Sequence, residues 1–331
     1  MFELKEYDVY RENDKYIIKI FIENKSDVEN ELKIVLEDSI FGLCNRKTNI
    51  KFNPNLVHWM AWDLVQDNAH NETRGLQMQA LWGSRLKLYQ EDQLIKTFNL
   101  KYNFTNLKLR EGIYRFSPFK KKKFWILGDS HAGYYTNTPS VEYLKTEKYD
   151  IVPMSVMALT LHKLMNSDWE RWLDSLPIFE DDVISLDIGE IDLRCNLFLI
   201  SEKKGIKLET LLDNLINQYF EFISKLKNKF GDRFVILAPN RPIKDGYLTG
   251  NLSFYKLDIS NQKQRVKLWK EFDNRLSQFC NTNFIKYWNI KTMYTDTDGT
   301  LFNEVLYHND IHIKVKEPML FDLKQKIIFN L

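Results

Sequence analysis

The chain has 331 residues, 44% hydrophobic, 28% charged and 14% aromatic, which describes a globular protein and excludes a disordered or fibrous one. Lys and Arg total 47 against 45 Asp and Glu, a formal net charge of +2, so nothing at the level of the whole chain calls for nucleic acid as a partner. Cys44, Cys195 and Cys280 are odd in number and widely spaced, which argues against a disulfide framework or a zinc site; no metal or cofactor is expected.

The amino terminus, Met1-Phe2-Glu3-Leu4-Lys5-Glu6, lacks a basic segment followed by an apolar one, and no apolar run approaches the ~20 residues of a membrane span. A cytoplasmic protein without a transmembrane segment is the simplest inference, with the oligomeric state left open. Short β-branched and aromatic segments separated by Asn, Lys, Ser and Asp then predict strands from Lys15 to Asn24, Glu31 to Glu37, His58 to Leu64, Gly75 to Trp82, Ser84 to Tyr89 and Leu94 to Tyr102. Strands at this spacing without a long helix between them suggest an antiparallel β-sandwich over residues 1–115. Residues 116–122 read as a linker, and the run Lys120 to Lys123 as solvated. Trp59, Trp62, Trp82 and Tyr89 either stack on a sugar, whose apolar face a flat ring covers, or pack the sandwich core.

Residues 123–331 alternate strands with helices. Phe124-Trp125-Ile126-Leu127 is a continuous apolar run, the mark of a strand covered on both faces, and it stops at Gly128-Asp129-Ser130-His131. Asp129 and Ser130 either cap the next helix or deliver a hydroxyl to the end of the sheet where ligands bind. A polar helical stretch from Val141 to Lys148 precedes strands at Tyr149 to Pro153 and Val183 to Ile188, with an amphipathic helix from Leu161 to Leu176 between them. A long helix from Lys207 to Phe230, closed by Gly231, leads to a strand at Phe234 to Pro239. A helix from Lys263 to Cys280, a strand from Phe284 to Trp288 and a helix from Lys316 to Phe329 complete the chain. Five strands in this alternation predict an α/β doubly wound parallel sheet. The absence of glycine between Tyr134 and Ile188 rules out a dinucleotide loop at the first turn.

Polar clusters fall at Gly128 to His131, at Gly189-Glu190-Ile191-Asp192-Leu193-Arg194, and at Tyr307-His308-Asn309-Asp310-Ile311-His312. A serine nucleophile needs a base, usually histidine, and the histidine needs an acceptor on its other ring nitrogen. Asp310 and His312 can place their side chains on the same side of a short turn, and His308 is the weaker candidate for the base. Asp296-Thr297-Asp298-Gly299-Thr300-Leu301 reads like the nucleophile motif of haloacid-dehalogenase-type phosphatases, but too little chain follows it to complete that site, and a turn is expected.

On Gly128-Asp129-Ser130 after the first strand and Asp310 and His312 near the end, residues 123–331 resemble the SGNH (GDSL-type) hydrolase family. The resemblance implies an SGNH-like, flavodoxin-like five-stranded sheet, with Ser130 as nucleophile, His312 as base and Asp310 as the orienting acid. Three departures stand out: Asn309 occupies the position three before His312, Gly189-Glu190-Ile191-Asp192 stands in place of Gly-x-Asn-Asp and so lacks the expected oxyanion asparagine, and the 157–162 region lacks the oxyanion glycine. Leu186 to Arg194 together with Thr160-Leu161-His162 is similar to SGNH-like proteins associated with bacterial surface-polysaccharide synthesis and modification. That implies a carbohydrate substrate and an acyl donor, with Asp129, Thr160, His162, Glu190, Asp192 and Arg194 as substrate or oxyanion contacts. Esterase, deacetylase and O-acetyltransferase share every step but the last acceptor. The rival expectations are a glycan-binding or assembly protein with a degenerate triad, and transfer of a phosphoryl-type group. His131 is read as packing the helix after the nucleophile turn, without chemistry.

Overall fold

A computed structural model of the chain describes residues 2–12, 15–37, 44–63, 84–100, 106–109, 112–115, 120–133, 135, 141–156, 159–248, 259–308, 310–314 and 317–331. The chain forms two units, Met1–Phe104 with Asn166–Ile178, and Thr105–Met165 with Phe179–Leu331. The sequence places a single boundary at 116–122, whereas here the chain returns to the first unit for a segment that includes the helix Trp169–Ser175.

In the first unit β1 (Phe2–Glu12), β2 (Lys15–Asn24) and β5 (Val57–Asp63) make one antiparallel sheet, in the order β1-β2-β5. A second antiparallel sheet contains β3 (Asn30–Glu37), β4 (Cys44–Phe52), β6 (Arg85–Gln90) and β7 (Gln93–Asn99), in the order β4-β3-β6-β7. Alternation sets the inner faces: Ile18, Ile20 and Ile22 are fully buried while Lys19, Phe21 and Glu23 between them are not. The sheets meet at the ring of Phe52, which lies 5.5 Å from that of Phe2 and 4.9 Å from that of His58. Arg85 pairs with Asp168 at 3.2 Å and Arg171 with Glu37 at 4.0 Å, joining the returning segment to this unit's strands. The candidate strand from Gly75 to Trp82 lies outside the described residues.

The second unit opens with a hairpin of β8 (Asn106–Leu109) and β9 (Gly112–Arg115). It then builds a parallel sheet from β10 (Lys122–Gly128), β11 (Tyr149–Ser155), β12 (Val183–Asp187), β13 (Phe234–Leu237) and β14 (Lys286–Trp288). Its five strands lie in the order β11-β10-β12-β13-β14, which is the expected SGNH-like, flavodoxin-like sheet. Phe124, Trp125, Ile126 and Leu127 are buried on both faces, which is why that run shows no alternation. Helices α1 (Ser130–Gly133), α2 (Leu161–Met165), α4 (Leu197–Lys204), α5 (Leu208–Phe230), α6 (Gln262–Thr282) and α7 (Glu317–Asn330) belong to this unit; α3 is the Trp169–Ser175 helix of the first. None of these helices is long and apolar enough to cross a membrane, among the described residues.

Three local expectations are corrected. The helix expected from Leu161 to Leu176 is broken at Asn166-Ser167-Asp168, residues whose side chains compete with helical backbone hydrogen bonds, and resumes at Trp169. Val141 to Lys148 is a short 3₁₀ turn, Val141–Leu144, followed by non-helical chain. Lys123 is not solvated: its ammonium is buried on Asp150 at 3.1 Å and the Lys121 carbonyl at 2.7 Å.

The order of strands makes a switch point between β10 and β12, because the chain leaves the interior strand β10 toward β11 and then crosses back to β12. The two strand ends approach so closely that a Cβ on Gly128 would stand 1.9 Å from the Asp187 carbonyl oxygen. Gly128→Ala therefore forces backbone apart. A loss of about 3 kcal/mol is expected from such overpacking, read as a lower urea midpoint; an unchanged midpoint would mean the strand ends part freely.

Candidate active site

The loop leaving β10 is shaped by its own aspartate. Asp129 Oδ1 accepts the His131 N–H at 2.9 Å, and the Asp129 N–H reaches the Asp187 carbonyl at 3.4 Å. Asp129 thus caps the single turn α1, and Ser130 is the first residue of that turn. Capping and delivery of the hydroxyl, alternatives on the sequence, coexist.

The partner for that hydroxyl comes from a tight turn near the other end of the chain. The Asp310 N–H donates to the Tyr307 carbonyl at 3.1 Å, the Tyr307 N–H to the His312 carbonyl at 3.0 Å, and Leu306 bridges Ile313, both side chains being fully buried. The Tyr247 hydroxyl donates to the Tyr307 carbonyl at 2.7 Å and ties this turn to the segment after β13. In this setting His312 Nε2 lies 2.9 Å from Ser130 Oγ, and His312 Nδ1 lies 2.6 Å from Asp310 Oδ1. Ser130 and His312 are buried and Asp310 is partly exposed. A neutral imidazole whose Nδ1–H donates to the carboxylate has Nε2 free to accept from the serine, the arrangement that activates a hydroxyl. His308 is exposed, and Asn309 lies outside the described residues.

Beneath the serine turn two ion pairs are buried. Asp187 takes the Lys291 ammonium at 2.6 Å and the Tyr135 hydroxyl at 3.1 Å, and Lys291 also donates to the Ala238 carbonyl at 2.9 Å. Glu190 Oε1 accepts Arg194 Nε at 2.6 Å, while its Oε2 lies 3.2 Å from His131 Nε2. Burial alone would raise the Glu190 carboxyl, but Arg194 and His131 hold it well below its ordinary value. On the other side of the same ring, His131 Nδ1 is 2.5 Å from Asn240 Nδ2. Gly189, whose φ is +116°, supplies the turn that sends Glu190 into this cluster.

The residues expected as substrate contacts divide accordingly. Glu190 and Arg194 face each other, with Glu190 turned to His131, and Asp129 caps α1. Thr160 Oγ1 accepts the Lys163 N–H at 3.1 Å, and Asp192 Oδ2 accepts the Leu161 N–H at 2.7 Å, so both side chains hold the start of α2 instead of facing outward. His162 is exposed on α2. Asp296 to Leu301 is a turn, closed by the Asp296 N–H on the Thr300 carbonyl at 2.8 Å. Among the aromatics of the first unit Trp59 is 62% exposed and Tyr89 partly so; Trp82 and the Trp62 side chain lie outside the described part. The sequence reading passed over Lys291, Tyr135 and Asn240, and gave His131 no part. The only sequence signal for Asn240 is its place at a polar strand end, in Ala238-Pro239-Asn240.

Burial pushes the Asp192 carboxyl up to about 6 from an ordinary 3.8. A folded-state value above the unfolded one means stability that is full below pH 3.8 and falls as pH rises through about 6, by about 3 kcal/mol at ~1.36 kcal/mol per unit. Asp192→Asn keeps an acceptor for Leu161 and removes the ionisation. Denaturation at pH 4 and pH 7 is expected to show that much less pH-dependent loss in the variant, and an identical loss would refute the assignment.

No family model matches the chain, and neither does any curated protein sequence. Among solved structures it is similar to a GDSL-like lipase from Bacteroides thetaiotaomicron, at 12% identity over 64% of this chain and 90% of that one, TM-score 0.45. It is also similar to Axe2, an acetylxylan esterase from Geobacillus stearothermophilus, at 12% identity over 63% of this chain and 94% of that one, TM-score 0.40.

Proposed function

We propose that the second unit is a serine-dependent acyl-ester enzyme of the SGNH type acting on an esterified carbohydrate, as esterase or deacetylase or as O-acyltransferase. The observation that carries this reading is the hydrogen-bonded line from Ser130 Oγ to His312 Nε2, 2.9 Å, and from His312 Nδ1 to Asp310 Oδ1, 2.6 Å, at the carboxyl end of β10, beside the switch point. Ser130 Oγ attacks the ester carbonyl as His312 Nε2 takes its proton. Asp310 stabilises the imidazolium and keeps its Nδ1–H in place. Collapse of the tetrahedral intermediate expels the sugar oxygen, which receives the proton back from His312. The acyl-serine is then attacked by water, releasing a carboxylic acid, or by a second hydroxyl, yielding a new ester; His312 again moves the proton.

The carbohydrate assignment rests on the resemblance carried by Leu186 to Arg194 and on the exposed indole of Trp59 in the first unit, a surface suited to the apolar face of a sugar. A bacterial surface polysaccharide or its precursor is the substrate class this favours.

Treatment of the protein with a fluorophosphonate, followed by intact-mass spectrometry, tests the reading. One adduct is expected on the wild type and none on Ser130→Ala, with His312→Ala slowed by roughly 10⁴-fold or more, the scale on which members of such a line act. A folded wild type that takes no adduct would move the function to glycan binding. Acetylated glycan incubated with and without an acceptor sugar then separates hydrolysis from transfer.

A further inference from the structure

Behind the serine lies a set of buried polar groups that the scheme above leaves unused. Arg194, Glu190, His131 and Asn240 form a line from the turn after β12, past the turn after β10, to the end of β13, with His131 only 2% exposed. Its polarity can be deduced. Glu190 is ionised and accepts only, so the His131 nitrogen facing it carries the proton; the opposite nitrogen then offers a lone pair, and Asn240 must present its NH₂ group. The imidazole is enclosed between these two groups, 3.2 Å from Glu190 on one side and 2.5 Å from Asn240 on the other, which leaves it little room to turn. His312 sits against it, with ring centroids 4.7 Å apart and planes tilted by 40°.

His312 has need of such a wall. The carboxylate oxygen that orients it, Asp310 Oδ1, is shared: it also accepts the Ile311 N–H at 2.6 Å and the His312 N–H at 3.3 Å. Resting on the serine-enzyme reading, we propose that His131 is a positioning residue, clamped by Glu190 and Asn240, whose ring holds His312 Nε2 on Ser130.

The wall works only if it stays uncharged, since two neighbouring buried imidazolium ions would repel. Burial pushes His131 down to about 4 from an ordinary 6.5, although Glu190 pulls the other way. The groups around the imidazole pair are Asp310 on the His312 turn, Asp129 and Ser130 from the β10 end, Glu190 with Arg194 from the β12 end, uncharged Asn240 from β13, and Lys291 bound to Asp187. The proton taken from serine therefore has one place to go.

The rate at which a fluorophosphonate labels Ser130, measured against pH, tests this without knowledge of the substrate. His131→Ala removes the wall and admits water that favours the imidazolium. Labelling is expected to slow by roughly 10- to 100-fold, the scale of a small misplacement of a reacting group, and the acid-side midpoint to move to higher pH. His131→Phe keeps a ring in place and should recover much of the rate. Asn240→Ala, which loosens the clamp from one side, carries the same test should His131→Ala not fold: slower labelling with the same direction of pH shift is expected. Folded variants that label at the wild-type rate with an unmoved midpoint would overturn the positioning role alone. A wild type that does not label would overturn the serine reading, and this inference with it.

Discussion

One buried carboxylate organises the ends of the sheet. Asp187 closes β12, its carbonyl lies against the position that Gly128 leaves empty at the end of β10, and its side chain holds the ammonium of Lys291, which follows β14. The same ammonium reaches the Ala238 carbonyl just beyond β13. Asp187, through its carbonyl and its ion pair together, thus gathers the ends of four of the five parallel strands under the serine turn. Such a pair adds little net stability compared with apolar packing, but once built neither partner can be removed without leaving a bare charge in a medium of low polarity. The geometry above it inherits that rigidity.

Charge around the serine follows the same rule. Each buried ion has its opposite at hydrogen-bond distance, Lys291 with Asp187 and Arg194 with Glu190, and Asp129 and His131 between them are driven toward their neutral forms. Asp129 is raised well above its ordinary value by burial, and further by Asp187 and Glu190 nearby; His131 is lowered. The one new charge that the proposed reaction creates is the imidazolium of His312, and it faces the one carboxylate, Asp310, that reaches toward solvent. A glutamate in the turn after β12, beside the serine turn, would repel a developing oxyanion if it faced the serine. Its pairing with Arg194 and its turn toward His131 account for how the site accommodates it.

The sheet was readable from the sequence because both signals it depends on are local: the apolar run of Phe124 to Leu127, and the alternation of such runs with helical periodicity. Ser130 was readable because Gly128 and Asp129 announce the end of an apolar run, and Asp310 and His312 because an acid two residues before a histidine in a short turn fits the family resemblance. What the sequence did not disclose is long-range. Lys291 meets Asp187 across 104 positions and Asn240 meets His131 across 109, and no spacing rule links them. Thr160 and Asp192 carry the right chemistry for ligand contacts, yet a helix start nearby offers unpaired N–H groups that claim them first. β1 and β4 were missed because charged and amide side chains dominate them, as suits strands at the margin of a sheet.

The return of Asn166–Ile178 to the first unit has a bearing on synthesis and on dissection. As the chain emerges from the ribosome, the first unit lacks Asp168 and Arg171, and with them its ion pairs to Arg85 and Glu37, until β10 and β11 of the other unit have already been made. The β-rich half is therefore not an amino-terminal module that can be completed first or detached by a single cut. Proteolysis near residues 116–122 would sever the chain and leave that half without its own helix, so the two halves share one covalent itinerary, crossed three times.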